Sequence, residues 1–350
     1  MSTQSDIRAA VIGATGYTGA ELLRLLHGHP RFSIGYVAGH STAGEPIAQV
    51  LPSFLGILDG VVEPFDAEAI AERADVAFCA LPHGASAPSV DALRQKGLVV
   101  FDLSADFRLA DLDVYAEWYG EHGAPHRHPE RVYGLVELNR EAIASADLVA
   151  VPGCYPTAAI LALAPILEAG LAKPAGIVID AKSGVSGAGR KPSPKTHLPE
   201  AAEGIRAYKV GSHRHTPEID QELGRAAGTP LKVLFTPHLV PMTRGILITA
   251  YADAAEGATV ESLTAAARER YAGSPSVVVL DPGQAPDTLW IRGSNRVHLG
   301  YALDQRSGKV IAMGTVDNLV KGAAGQAIQA ANVRFDLPEG MGLEQPAAWP

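Results

Sequence analysis

Only two of the 350 residues are cysteine. Cys79 and Cys154 form neither a C-x-x-C pair nor a disulfide framework. That excludes a stapled secreted fold and leads us to expect a reducing, cytoplasmic setting. Charged residues make up only 19% and aromatics 6%, against 47% hydrophobic, which excludes a disordered chain. No uninterrupted apolar run reaches about 18 residues, so no membrane-spanning helix is predicted. Basic residues are in short supply: 29 Lys and Arg face 38 Asp and Glu, a net charge of -9. That balance speaks against general nucleic-acid binding, and an anionic ligand needs a local basic patch. Met1-Ser-Thr-Gln-Ser-Asp6 has neither a basic start nor an apolar core, so no secretory leader is expected there. Internal repeats and low-complexity linkers are lacking too, and the length predicts about two domains.

What is present centres on Val151-Pro-Gly-Cys-Tyr-Pro-Thr157. The apolar run Leu148–Val151 reads as a strand, Pro152 and Gly153 turn the chain, and Ala158–Ala164 reads as a buried helix. Cys154 therefore falls at or just before a helix N-terminus, where unpaired N–H groups and the helix dipole favour a thiolate. Pro156 suits the first turn, where a missing N–H costs nothing. A thiolate so placed can attack a carbonyl carbon and form a thioester. The alternative is a small buried hydrophobe, the commonest state of a free cysteine.

Ahead of it, Arg8–Ile12 reads as a buried strand entering Gly13-Ala-Thr15-Gly16-Tyr17-Thr18-Gly19 and then a helical pattern, Ala20–Leu26. Strand, glycine turn and helix in this order suit a dinucleotide pyrophosphate at the helix N-terminus. The spacing is G-x-x-G-x-x-G rather than G-x-G-x-x-G. About 20 residues on, where NAD enzymes carry an acid for the ribose 2′-hydroxyl, stands Gly39-His-Ser41-Thr42-Ala-Gly44. With no carboxylate to repel a 2′-phosphate, and with Ser41 and Thr42 as donors, NADP(H) is the expected cofactor. Further strands at Asp75–Leu81 and Gly97–Asp102 lead into Pro82-His83-Gly-Ala-Ser86 and Leu103–Arg108. Strands and helices alternating to about residue 150 predict an α/β doubly wound parallel sheet. His122–His128 reads as a histidine-rich loop, and no metal is expected there.

Beyond Cys154 the pattern changes. Gly176–Lys182 starts a second domain and enters Ser183-Gly184-Val-Ser186-Gly-Ala-Gly-Arg190, whose N–H groups and hydroxyls suit an anion. From Lys182 to Arg214 there are seven Lys or Arg against two Glu. Gly211-Ser-His213-Arg214-His215-Thr-Pro-Glu218 supplies the histidines that a cysteine mechanism needs. Leu231–Thr236 and Gly245–Tyr251 suggest a sheet, and Asp317–Gly325, continuing to Asn332, reads as a long small-residue helix.

In order along the chain, Gly13–Gly19, Leu81–Gly84, Asp102–Arg108, Pro152–Thr157, His213–Glu218 and Asp317–Gly322 closely resemble the N-acetyl-gamma-glutamyl-phosphate reductase family from end to end. That family is related to aspartate-semialdehyde dehydrogenase and to a reductase of carrier-bound aminoadipyl phosphate. The latter lacks the Tyr-Pro after the cysteine, which favours the arginine-pathway type. The resemblance implies a Rossmann-type domain over residues 1–153, completed by a C-terminal helix over about 317–350, and an α+β catalytic and oligomerisation domain with a mixed sheet over 154–316. It implies NADPH-dependent reductive dephosphorylation of an acyl phosphate by a homodimer or homotetramer. Cys154 is then the nucleophile, and His213 or His215 the acid/base. Gly13, Thr15, Gly16, Tyr17, Thr18, Gly19, Ser41, Thr42, Pro82, His83, Ser183, Gly184 and Asn318 are expected at the cofactor. Arg108, Ser186, Arg190 and Arg214 are expected at the substrate phosphate or carboxylate. Two readings compete with this one: a zinc hydrolase using His126, His128, His213 and His215, and an NADP-sensing regulator without chemistry.

Overall fold

The structure, a computed structural model, describes residues 7–348; Met1–Asp6 and the last two residues of the expected 317–350 segment, Trp349 and Pro350, lie outside the described residues. The chain divides into two compact units. Of the described residues, one holds those up to Pro152 together with Ala323–Glu344, and the other holds Gly153–Gly322 and residues 345–348. Among the described residues no helix is long and apolar enough to cross a membrane.

The first unit is built on six parallel strands: β1 (Ile7–Ile12), β2 (Phe32–Ala38), β3 (Val76–Cys79), β4 (Val99–Asp102), β5 (Arg131–Tyr133) and β6 (Leu148–Ala150). Their order is β2-β1-β3-β4-β6-β5. Residues Ala9–Ile12, Val76–Cys79 and Leu148–Ala150 are buried, as the inner strands of a parallel sheet covered on both faces must be. In register, Ile12 lies between Ala38 and Cys79, so three strands end side by side. Because β2 and β3 flank β1, the chain reverses its winding direction there, and the crevice beyond these ends is where open α/β sheets take ligands. The helix Tyr17–His27 buries Leu22, Leu23, Leu25 and Leu26. The helix Gly325–Arg334 also belongs to this unit. It is tied by Gln326 Nε2 donating to the Gly134 carbonyl (2.8 Å) and by Arg334 donating to Asp147 (2.8 Å).

The second unit carries β7 (Val178–Ser183), β8 (Arg206–Ala207), β9 (Leu234–Leu239), β10 (Ile246–Asp253), β11 (Val277–Val279), β12 (Val297–Asp304) and β13 (Lys309–Val316). They form one mixed sheet, β11-β12-β13-β10-β7-β9-β8. The helix Cys154–Glu168 lies on it, buried from Tyr155 through Leu167. Pro165 inside this helix has no N–H for the Leu161 carbonyl, and Tyr271 Oη donates to that carbonyl at 2.8 Å. Gly314 lets the helix approach: a Cβ there would stand 3.0 Å from the Ala158 carbonyl oxygen.

The expected single helix from Asp317 is instead a cap, a wide turn and a helix. Asp317 Oδ1 accepts from the Leu319 and Val320 N–H groups, Val320–Ala324 is π-helical, and the α-helix begins at Gly325. The widening coincides with a close passage at Gly322, where a Cβ would lie 2.8 Å from Cys154 Cβ.

The glycine turn gives a direct test. A Cβ at Gly19 would sit 2.3 Å from the Gly13 carbonyl oxygen, whereas at Gly16 the nearest atom is 3.6 Å away. In urea unfolding, Gly19→Ala is expected to lose about 1–3 kcal/mol or more. Gly16→Ala should stay within about 0.5 kcal/mol of wild type. Equal losses would contradict the packing account.

Candidate active site

In the first unit the turn after β1 is shaped for close backbone approach. Gly13 has φ +80°, and a Cβ there would lie 2.4 Å from the Ala80 carbonyl oxygen, so only glycine lets β1 and β3 end this closely. Thr15 sits in the turn and Gly16 caps the helix. Neither a capping side chain nor an acidic first-turn residue occupies the helix start. The N–H groups of Tyr17, Thr18 and Gly19 have no acceptor within the helix, and the dipole there is positive. At the end of β2, Ser41 is exposed, and Thr42 Oγ1 is buried without a hydrogen-bond partner. No carboxylate stands between Ala38 and Gly44. An orphaned hydroxyl, an open helix start and a glycine cradle fit a dinucleotide carrying a 2′-phosphate. Pro82 and His83 lie exposed in the turn after β3.

The Asp102–Arg108 segment is mostly buried in this unit. Arg108 is 4% exposed, with Nε donating to the Val151 carbonyl (2.7 Å) and Nη2 to that of Leu103 (2.7 Å). Asp102, fully buried, accepts from Ser86 Oγ (2.6 Å) and Ser104 Oγ (2.7 Å). Burial, reinforced by the neighbouring Asp106, pushes its carboxyl up to about 6 against the hydroxyl hydrogen bonds. Sequence reading singled out the motif but not these two acids; their signal was a D-x-S-x-D pattern at a strand's carboxyl end.

The second unit holds the thiol. Cys154 is the first residue of its helix, half-buried, with Gly153 as N-cap. Glu218, 1% exposed, accepts the Gly153 N–H at 2.8 Å, and Thr157 Oγ1 donates to the Gly153 carbonyl at 2.9 Å. Glu218 thus holds the residue before Cys154, a contact that sequence reading missed, having quoted Glu218 only as part of the histidine motif. Tyr155, next to Cys154, packs its ring against His213 (5.7 Å) and His215 (5.9 Å). His213 is also ringed by Tyr208 (5.5 Å) and Phe235 (5.3 Å). Its Nδ1 accepts the His215 backbone N–H at 3.1 Å, so the neutral ring carries its proton on Nε2. Tyr208 Oη donates to Tyr155 Oη (3.1 Å), and burial holds both phenols well above the ordinary tyrosine range. They stay protonated donors at neutral pH. The two tyrosines and Phe235 were not among the residues expected to act at the site; Tyr155 stood inside the cysteine motif, whereas Tyr208 in a loop and Phe235 on β9 leave no local signature.

The other expected residues fall in the same unit. Asn318, 2% exposed, accepts the Gly245 N–H (2.8 Å) and donates to Ser186 Oγ (2.9 Å), so its amide ties the Ser183–Gly187 segment to the start of β10. Ser183 Oγ donates to the Gly184 carbonyl (3.0 Å), and a Cβ at Gly184 would collide with Thr243 at 2.7 Å. Arg190 is exposed and Arg214 half-buried. Among the described residues no three His, Cys, Asp or Glu are grouped to hold a metal. His126 pairs with Asp91 (2.9 Å) and His128 with the Leu109 carbonyl (2.8 Å).

Comparison with known proteins adds to this geometry. The semialdehyde dehydrogenase NAD-binding domain matches residues 8–146, and the semialdehyde dehydrogenase dimerisation domain matches 154–318. An N-acetyl-gamma-glutamyl-phosphate reductase from Moorella thermoacetica is 49% identical over 98% of this chain and 100% of its own length. One from a Geobacter species is 48% identical over 97% and 98%. Among solved structures, aspartate semialdehyde dehydrogenase II of Vibrio cholerae aligns with TM-score 0.72 at 18% identity, covering 95% of this chain and 99% of that one. An NADP complex of the Candida albicans enzyme aligns with TM-score 0.68 at 18% identity, covering 94% and 98%. These structures share the fold.

The buried acid makes a pH prediction. Between the unfolded value of 3.8 and about 6, the folded protein keeps a proton on Asp102 that the unfolded chain releases. Rising pH through that window therefore removes stability, by at most about 1.4 kcal/mol per pH unit for one proton. Urea unfolding of Asp102→Asn from pH 4 to 7 should lack this component; an unchanged profile would contradict it.

Proposed function

Because the chain belongs to the N-acetyl-gamma-glutamyl-phosphate reductase family, its reaction is the NADPH-dependent conversion of N-acetyl-L-glutamyl 5-phosphate to N-acetyl-L-glutamate 5-semialdehyde, in arginine biosynthesis, and we propose how its residues perform it. The observation that carries the assignment is Cys154 at the first position of a buried helix, beside a ring-lined pair of histidines. The helix start favours the thiolate, which attacks the acyl carbon. The carbon–oxygen bond to phosphate breaks, inorganic phosphate leaves, and a thioester to Cys154 remains. NADPH, when bound, supplies the hydride that reduces this carbon. His213, the acid/base candidate, shares its Nε2 proton with the developing alkoxide through a hydrogen bond and keeps it on the ring as the carbon–sulfur bond breaks, releasing the aldehyde and the thiolate. His215 is the second candidate, and its backbone N–H already fixes the His213 ring.

We assign cofactor binding to the first unit, through Gly13, Thr15, Gly16, Tyr17, Thr18, Gly19, Ser41, Thr42, Pro82 and His83. Ser183, Gly184 and Asn318 are placed on the cofactor's reacting side. Arg190, Arg214 and Ser186 are assigned to the substrate's anionic groups. Arg108, buried on two carbonyls, is assigned a positioning role. Two free cysteines suit a reducing compartment, which supports a cytoplasmic location.

Subunit association, as a homodimer or homotetramer, is assigned to the sheet of the second unit. Its helix-covered side alternates with partly exposed Leu247, Tyr251, Ile311 and Met313, and Tyr251 pairs directly with Ile311. Ile311→Asp should lower the molar mass measured by light scattering toward one subunit. A wild-type monomer, or a variant of unchanged mass, would contradict this.

The direct functional test is phosphate-dependent NADP reduction with N-acetylglutamate, aspartate and carrier-linked aminoadipate semialdehydes. Preference for the first supports the substrate assignment, and preference for another moves the chain to a sister activity. Cys154→Ser should abolish turnover while leaving NADPH binding intact, and His213→Asn should slow it about 10²–10⁴-fold. A larger loss in His215→Asn would exchange the two histidines' roles.

A further inference from the structure

Two motifs some 20 residues apart in sequence meet at the carboxyl ends of β3 and β4, in the wall of the crevice beside Gly13. The turn Pro82–Ala85 is exposed throughout, and Gly84 holds φ +81° with nothing within 4 Å of a built Cβ. Packing thus does not impose the conformation at Gly84. The helix that follows, Ser86–Gln95, has Ala85 as N-cap and no local capping side chain. The missing acceptors come from Asp106, 1% exposed. Its Oδ1 accepts the Gly84 N–H (2.7 Å) and Tyr115 Oη (3.0 Å); its Oδ2 accepts the N–H groups of Ser86 (3.2 Å) and Ala87 (2.9 Å). Ala105 N donates to His83 Nδ1 at 2.9 Å, and His122 Nε2 bonds the Asp106 carbonyl at 2.7 Å. At the other end of the turn, Leu81 Cδ2 would lie 3.3 Å from a Cβ at Gly13.

We propose that Asp106 is a positioning residue for the dinucleotide: too buried to touch it, it locks the Pro82–Ala85 turn into the wall against which the cofactor binds. This rests on the reading of the first unit as the NADPH-binding one. An exposed turn with a left-handed glycine otherwise loses conformational freedom when a ligand orders it, and that cost weakens binding. Asp106 removes the cost beforehand: its carboxylate takes the Gly84 N–H of the turn and the Ser86 and Ala87 N–H groups that follow it, and Tyr115 Oη holds the carboxylate in place.

Asp106→Asn keeps the size but sets an NH2 group against backbone N–H donors. NADPH fluorescence titration should show Kd raised about tenfold or more. At saturating NADPH, kcat should stay within about threefold and the KM for the acyl phosphate within about twofold of wild type. Hydrogen exchange of the cofactor-free protein should speed up over residues 82–88. Faster exchange with an unchanged NADPH Kd overturns the proposal, as does a fall in kcat with Kd unchanged. Should Asp106→Asn not fold, Tyr115→Phe removes one of the four bonds without loss of packing. It should raise Kd about two- to threefold, and no rise overturns the proposal. Failure of the wild-type protein to bind NADPH sinks the cofactor reading instead, a result distinct from either.

Discussion

A helix that is buried along its length can start with a reactive side chain only if its first backbone groups are satisfied without covering that side chain. The helix Cys154–Glu168 meets this constraint with residues drawn from across its unit. Glu218 takes the Gly153 N–H, Thr157 returns a hydrogen bond to the Gly153 carbonyl, and Pro156 brings no N–H to satisfy. The positive end of the helix is thereby directed at Cys154. Gly322 gives the cysteine its space, since any side chain there would strike Cys154 Cβ.

The second unit's sheet serves this placement. Gly314 admits the helix backbone, and Tyr301 and Tyr271 hydrogen-bond its carbonyls at Ala162 and Leu161. With the helix seated, Tyr155 at its second position meets the histidine loop, whose own geometry is set by His213 Nδ1 on the His215 N–H. The cysteine helix and the histidine loop thus meet through one aromatic side chain. The first unit uses the same means: a glycine turn and an uncapped helix start stand beside a turn whose N–H groups are capped from a distance by Asp106.

Much of this was legible in the sequence because it is local. A strand, a glycine turn and a helix are contiguous from Ile7 to His27, and Cys154 starts a helix just past its turn, so both local arrangements could be read from spacing alone. Long-range features left no such trace. β12 carries Gly300 in mid-strand, which looks like a breaker until the Gln284 carbonyl is seen where a Cβ would stand, 2.4 Å away. The stretch from Asp317 reads as one helix because its residues are small. Only the Asp317 cap and the passage of Gly322 by Cys154 reveal the π-helical turn. Asp106 acts on Gly84 and Ser86 from 20 residues away, beyond any capping rule read along the chain.

The central claim is the covalent one, that the acyl group passes onto Cys154 before reduction. Mass spectrometry of the protein mixed with N-acetylglutamyl phosphate in the absence of NADPH tests it. The account predicts one acyl adduct per subunit, on the peptide containing Cys154, with a matching burst of inorganic phosphate. Phosphate release without an adduct, or an adduct that persists in Cys154→Ser, would contradict it.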